Sequence, residues 1–335
     1  MAEKTVVPME INYRPSWLSW VGAAATCLNA LGIDCELAEV AGYSGYAFHM
    51  AVHKDMCPSG PSMLNWSGLN WGINLLGRSA QSFVSGDCHT GEYICERTRA
   101  HCRQVFELAS REIAAGRPCV LWGAYVPEFA VVYGIEDGKY LVKSVKGHCG
   151  EPEPPLAYDE LDAPGGPYLL AMPTATNEER QREWRDRFAI GQAAQRLTMP
   201  SWIGDYSLGL KAYDRWIEAF KSDSFVTFGN SYNAQCYCEA KAFAHEFLMG
   251  VAKRQPPIAE MLKPAVEDYA TVKAAMKRVA ELFPFPGEKE VKDPQVIEQA
   301  TAALKEAQAA ETRAAEVLLK LAQLSVPTLK TEAAE

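Results

Sequence analysis

The stretch WLSWVGAAATCLNAL, from Trp17 to Leu31, constrains the fold more than any other part of the chain. It is small and apolar on nearly every side, so a helix formed from it has no solvent face and must be wrapped by other elements. Gly32 follows it as a terminator, because glycine takes the left-handed backbone of a helix end without strain.

The elements that could wrap it lie further on. Thr90 to Ala115 reads as an amphipathic helix stopped by Gly116 and Pro118. CVLWGAY then reads as a strand. EFAVVYGI and KYLVKSV read as a hairpin turning at Glu136-Asp137-Gly138. That hairpin should be central to a sheet, with Ala130, Val131, Val132 and Val142 buried. PEPPLAYDELDAPGGPYLLAMP reads as a loop followed by an edge strand. GYSGYAF (Gly42 to Phe48), CPSGPS (Cys57 to Ser62) and NWSGLNWGINLLG are rich in residues that build surfaces and pockets.

From Asn177 the pattern turns helical, with apolar residues three and four apart. Helices are expected at Glu178 to Gln192, Gly209 to Lys221, Gln235 to Lys253, Pro257 to Leu282, and from Asp293-Pro294 to about Gln323. The expected fold class is α+β: a domain over residues 1–175 and an all-helical domain over 176–335. Glu311 interrupts the last helix's apolar stripe of Ile297, Leu304, Ala307, Leu318 and Leu321. An acid there must be paired, face a cavity or turn to solvent. The last is the expectation.

Lys plus Arg total 33 against 42 Asp plus Glu, a net charge of -9, so there is no basic surplus to neutralise a phosphate backbone and no nucleic-acid partner is expected. No apolar run reaches the ~20 residues of a membrane span, and the opening MAEKTVVPMEINYRPSW lacks a signal-peptide layout. The expectation is a cytoplasmic chain without a membrane partner, its ten cysteines reduced.

Cys88, Cys95 and Cys102 recur every seven residues, with His89 and His101 beside the outer two. Seven residues are about 10 Å of helix, too far for three ligands of one zinc, so a buried stripe of small residues is expected. Cys236 and Cys238 point to different helix faces and read as packing. His49, His53 and Cys57 are close in sequence, but no second pair completes a metal site. No metal and no cofactor are expected.

Tyr13 to Met172 resembles the papain-like domain of bacteriocin-processing cysteine peptidases and, more closely, that of the butirosin biosynthesis protein H family, whose second part the helical remainder is similar to. In those families a catalytic Cys opens a buried helix that ends at a Gly thirteen residues on. Here Gly32 is that glycine, and Ser19 stands at the nucleophile position. The family's strand His-Phe-Val-Val-Val-x-Gly, which begins with the catalytic base, corresponds to EFAVVYG, so Glu128 stands for the His. The third position, an Asp or Asn that orients the His, falls close to Ser144. GYSGYAF looks like the Gly-rich segment after the family's first helix.

The resemblance implies a papain-like fold with an inherited cleft between Ser19 and Glu128. Trp17, Trp20, Tyr43, Ser44, Tyr46, Cys57 and Trp66 are candidates to line it. A thiolate works because a neighbouring His lowers its pKa and shuttles the proton; a carboxylate is too weak a base to do this for a serine. The first expectation is therefore a degenerate papain-like protein that binds a small molecule, an acyl group or a peptide, with self-association into a homo-oligomer left open. The alternatives are an active acyltransferase or amide hydrolase using Ser19 or Cys57 with a base from elsewhere, and acid-base chemistry by Glu128.

Overall fold

The computed structural model describes residues 4–85, 96–176, 182–198, 202–287 and 293–324. In chain order the elements are β1 (Lys4–Val6), α1 (Ser19–Ala30), α2 (Leu37–Tyr43), β2 (Ala51–His53), α3 (Asn70–Leu75), β3 (Gln81–Val84), α4 (Glu96–Ala114), β4 (Cys119–Trp122), β5 (Phe129–Glu136), β6 (Lys139–Lys143), α5 (Val145–His148) and β7 (Tyr168–Ala171). There follow α6 (Arg182–Thr198), β8 (Trp202–Ile203), β9 (Tyr206–Leu208), α7 (Lys211–Ala219), α8 (Thr227–Arg254), α9 (Pro256–Leu282) and α10 (Pro294–Leu324). Helices combine with antiparallel sheets, an α+β protein.

Two compact units emerge: residues 1–44 with 64–178, and residues 45–63 with 179–335. Residues 45–63, expected inside a contiguous first domain, group with the helices instead. The reasons are local. β2 pairs antiparallel with β9, Ala51 against Leu208. The Tyr237 hydroxyl, on α8, donates to the Ala51 carbonyl at 2.5 Å and accepts the Ala51 amide at 3.0 Å.

The first unit is built on a six-stranded antiparallel sheet in the order β1-β5-β4-β7-β3, with β6 also paired to β5. β5 is flanked on one side by β6 and on the other by β4 and β1, and Ala130, Val131, Val132 and Val142 are all buried. The β5–β6 turn places both Asp137 (φ 48°) and Gly138 (φ 72°) in the left-handed region, which is why Asp-Gly stands there. β7 is a correction: it lies between β4 and β3 rather than at an edge, and YLLA is buried throughout. The strand that covers it, QSFV, carries no clear alternation.

α1 lies against β4 and β5, and ten of its twelve residues are buried. Ser16 and the carbonyl of Arg14 cross it so closely that a Cβ on Gly22 would meet Arg14 O at 2.3 Å. Arg14 pins that crossing segment through Asn29 Oδ1 (3.0 Å), Cys35 O (2.7 Å) and Glu36 Oε2 (2.7 Å). Of the cysteine stripe, Cys102 is buried on α4. Cys88, His89 and Cys95 lie outside the described residues.

In the second unit α8, α9 and α10 pack side by side, with α6 against α10. Ala300, Ala303, Ala307, Ala310, Ala314 and Ala315 let α10 approach its neighbours closely. α8 begins at Thr227, earlier than the expected Gln235, because Gly229, Asn230, Ser231 and Asn233, poor helix formers, are held by burial. Glu311 is also a correction. It does not face solvent but is fully buried and paired with Lys241 at 2.7 Å. A small sheet, β2-β9-β8, completes the unit. Among the described residues no helix is long and apolar enough to cross a membrane.

Candidate functional site

The site is assembled where α1 begins and β5 begins. Ser19 is the first residue of α1, and Glu128 immediately precedes β5. The connection before β5 is tight. Gly123, at φ 82°, donates its amide to the Glu128 carbonyl at 3.0 Å, and a Cβ there would meet Asp162 O at 2.5 Å. Glu128 is thereby fixed beside the helix start.

The Ser19 hydroxyl donates to Oε2 of Glu128, and Ser19 Oγ accepts the Phe129 amide at 3.0 Å. Ser19 is 6% exposed and Glu128 half-buried. The two positions picked out by counting from Gly32 and by matching EFAVVYG are thus brought together.

Ser144 is engaged with Glu153. It caps the short α5, accepting the Lys146 amide at 3.1 Å, and its hydroxyl donates to Glu153 Oε1 at 2.6 Å. The same carboxylate oxygen accepts the amides of Ser144 (2.7 Å) and Gly147 (3.2 Å). Gly147 is needed for this approach, since a Cβ there would lie 2.3 Å from Glu153 Oε2. Ser144, the position matched to the family's third member, thus donates its hydroxyl proton to a hydrogen bond with Glu153.

Three residues near these groups were not singled out from the sequence: Tyr13, Glu153 and Cys149. The Tyr13 hydroxyl is buried and has no hydrogen-bond partner among the described residues. Burial first, and then the negative charges of Glu128 and Glu153, push its phenol well above the ordinary tyrosine range. Tyr125, at φ 70°, donates its hydroxyl to Pro154 O, and burial followed by Glu153 and Tyr133 pushes it up to about 12. The only signal for Glu153 was a carboxylate inside the proline-rich EPEPPL, which is too common to read.

The aromatic candidates separate. Trp17 is 38% exposed, whereas Trp20 is fully buried and donates to the Tyr168 hydroxyl at 3.3 Å. Tyr43 and Ser44 are buried, and Ser44 donates to Ala41 O at 3.2 Å. Trp66, half-buried, packs with ring centroids 4.9 Å from Trp122, 5.0 Å from Phe129 and 5.3 Å from Tyr168. Tyr46 and Cys57 belong to the second unit. Tyr46 is buried there, its hydroxyl donating to Pro61 O at 2.8 Å. The expected lining therefore reduces, in the first unit, to Trp17 and the edge of Trp66.

A serine–histidine contact does occur elsewhere in the first unit: Ser85 Oγ and His101 Nδ1 are 2.5 Å apart. Ser85 is 5% exposed, and the His101 ring packs edge-on against Phe83. Among the described residues no group of three or more His, Cys, Asp or Glu side chains could hold a metal ion. No protein-family model matches the chain, and no curated protein matches its sequence.

Proposed function

We propose that the first unit is a papain-like domain of the butirosin type in which Ser19 and Glu128, at the positions of nucleophile and base, no longer catalyse and instead serve binding of a small molecule, an acyl group or a peptide. The observation that carries this reading is the state of the Ser19 hydroxyl. Its one proton is committed to Glu128 and its oxygen accepts the Phe129 amide. Attack on a carbonyl needs that proton removed by a base matched to the working pH, and a carboxylate whose ordinary pKa is about 4.3 falls far short of this. The half-buried Glu128, the exposed Trp17 and the edge of Trp66 remain to hold a ligand.

The test is native mass spectrometry of the purified full chain combined with a fluorophosphonate probe mapped by peptide mass spectrometry. The expected result is a retained ligand that is lost from Glu128→Gln, with no adduct on Ser19. An adduct on Ser19 overturns the reading. An adduct on Ser85 overturns it too, by moving hydrolytic chemistry to the Ser85–His101 pair.

A further inference from the structure

Three protic side chains meet in the second unit, two from one loop and the third from β9, 147 residues away from Ser59. Cys57 Sγ and Ser59 Oγ are 2.9 Å apart, and Ser59 Oγ and Tyr206 Oη are 2.5 Å apart. Cys57 and Tyr206 thus flank the same Ser59 oxygen. Nothing in the site around Ser19 uses these groups.

The cluster is held from several sides. Asn233, on α8, donates to the Cys57 carbonyl at 3.0 Å, and the preceding residue, Met56, is fully buried in the left-handed region at φ 60°. The His53 ring lies 4.9 Å from the Tyr206 ring. His53 Nδ1 accepts the Asp55 amide at 3.1 Å, which in the neutral ring leaves the proton on Nε2, 3.9 Å from Asp205 Oδ2. Lys54 is paired with Asp205 at 3.1 Å. Cys57 itself is a free thiol, half-buried, so that a small reagent reaches it more readily than a large one.

We propose that Cys57 is a redox-modification site, oxidised by a small hydroperoxide to a sulfenic acid with Ser59 and Tyr206 as its proton relay. The sulfur attacks the terminal oxygen of R–O–O–H; the S–O bond forms as the O–O bond breaks. The products are Cys57–S–O–H and R–O–H, the sulfur losing the two electrons that the peroxide gains. The thiol proton passes to the Ser59 oxygen, the Ser59 proton to the Tyr206 oxygen, and the Tyr206 proton to the departing R–O⁻. Because Cys57 and Tyr206 both lie within hydrogen-bond distance of the one Ser59 oxygen, the proton is returned close to the sulfur where the leaving group departs. Burial, reinforced by the Cys57 contact and opposed by that of Ser59, raises the Tyr206 phenol above its ordinary range, so it keeps the proton it is to deliver.

The experiment treats the reduced full chain with hydrogen peroxide, traps sulfenic acid with dimedone, and reads each cysteine by peptide mass spectrometry. Cys57 is expected to be trapped about tenfold faster than the exposed Cys149, and Tyr206→Phe and Ser59→Ala are each expected to slow it about tenfold. Iodoacetamide is the control reagent, because iodide leaves without needing a proton. Its rate at Cys57 should change by less than about twofold in both variants. Trapping of Cys149 as fast as Cys57 overturns the proposal. So does equal slowing of both reagents in the variants, which would make the hydroxyls mere packing around the sulfur. Ser59→Ala removes only one oxygen atom and keeps the test open if Tyr206→Phe misfolds.

Discussion

Lys241 Nζ and Glu311 Oε1 lie 2.7 Å apart inside the helical unit, with the side chains 0% and 1% exposed. Tyr269 donates to the same carboxylate oxygen at 2.8 Å and Tyr213 to the other at 2.7 Å. Glu311 thus receives a cation and two phenols, and burial followed by its charge raises both phenols well above their ordinary range. One acid joins α7, α8, α9 and α10.

Breaking a buried pair from one side strands a charge and costs about 3–5 kcal/mol, whereas neutralising both sides does not. Lys241→Met is therefore expected to lower unfolding free energy by about that amount in urea titrations. Adding Glu311→Gln, which removes the stranded charge, keeps an acceptor oxygen for one phenol and turns an N–H toward the oxygen of the other, should restore most of the loss. A double variant as unstable as Lys241→Met would show that packing, not charge, sets the cost.

His49 supplies a pH dependence. It is buried, with Nε2 lacking a hydrogen-bond partner among the described residues. Burial, and then Arg196 and Lys241, push it down to about 3, against an opposing hydrogen bond to the Gly60 backbone. In the unfolded chain it binds a proton below about 6.5, while the folded protein refuses one until about 3. The unfolded state thus holds more protons in that window. Its contribution is complete above 6.5 and lost as pH falls toward 3, at up to about 1.4 kcal/mol per pH unit. Denaturation at pH 7, 5.5 and 4 should show wild type losing its stability relative to His49→Gln as pH drops. Parallel curves would place the burden on other groups.

How much of this was legible depends on whether the cause is local. α1 and the β5–β6 hairpin were readable because burial on all faces and an Asp-Gly turn are written in consecutive residues. The interior place of β7 was not, since YLLA looks the same at an edge as between two strands. The partner of Glu311 stands 70 residues away on another helix, and no periodicity reports it. The Ser19–Glu128 contact came from counting residues against a resemblance, while Glu153, which accepts the hydrogen bond of the Ser144 hydroxyl, had no pattern to announce it. The grouping of residues 45–63 with the helices rests on contacts such as Tyr237 with Ala51, equally silent in sequence.

Gly229 tests that grouping. It lies in the first turn of α8, where a Cβ would stand 1.8 Å from Met56 O and 2.9 Å from Pro58 N. Both contacts are backbone atoms, so no side chain can swing away to relieve them. Gly229→Ala is expected to cost about 3 kcal/mol in chemical denaturation, despite alanine's better helix propensity. A loss below about 1 kcal/mol would mean that the Met56–Pro58 loop moves freely.

The last prediction concerns the geometry at Ser19 and reverses its chemistry. A thiol in place of the Ser19 hydroxyl would sit against the Glu128 carboxylate, and both burial and that negative charge disfavour a thiolate. Ser19→Cys alone is thus expected to react slowly with iodoacetamide at pH 6. Changing Glu128 to His as well would place an imidazolium beside the thiol and favour the thiolate. Ser19→Cys with Glu128→His should then be alkylated at the introduced thiol at least about tenfold faster than Ser19→Cys with Glu128→Gln, which removes the carboxylate without supplying a cation. Peptide mass spectrometry separates this adduct from those on Cys57 and Cys149. If the histidine and glutamine variants react at the same rate, the two positions do not stand to one another as nucleophile and base, and the papain-like reading of the first unit fails with them.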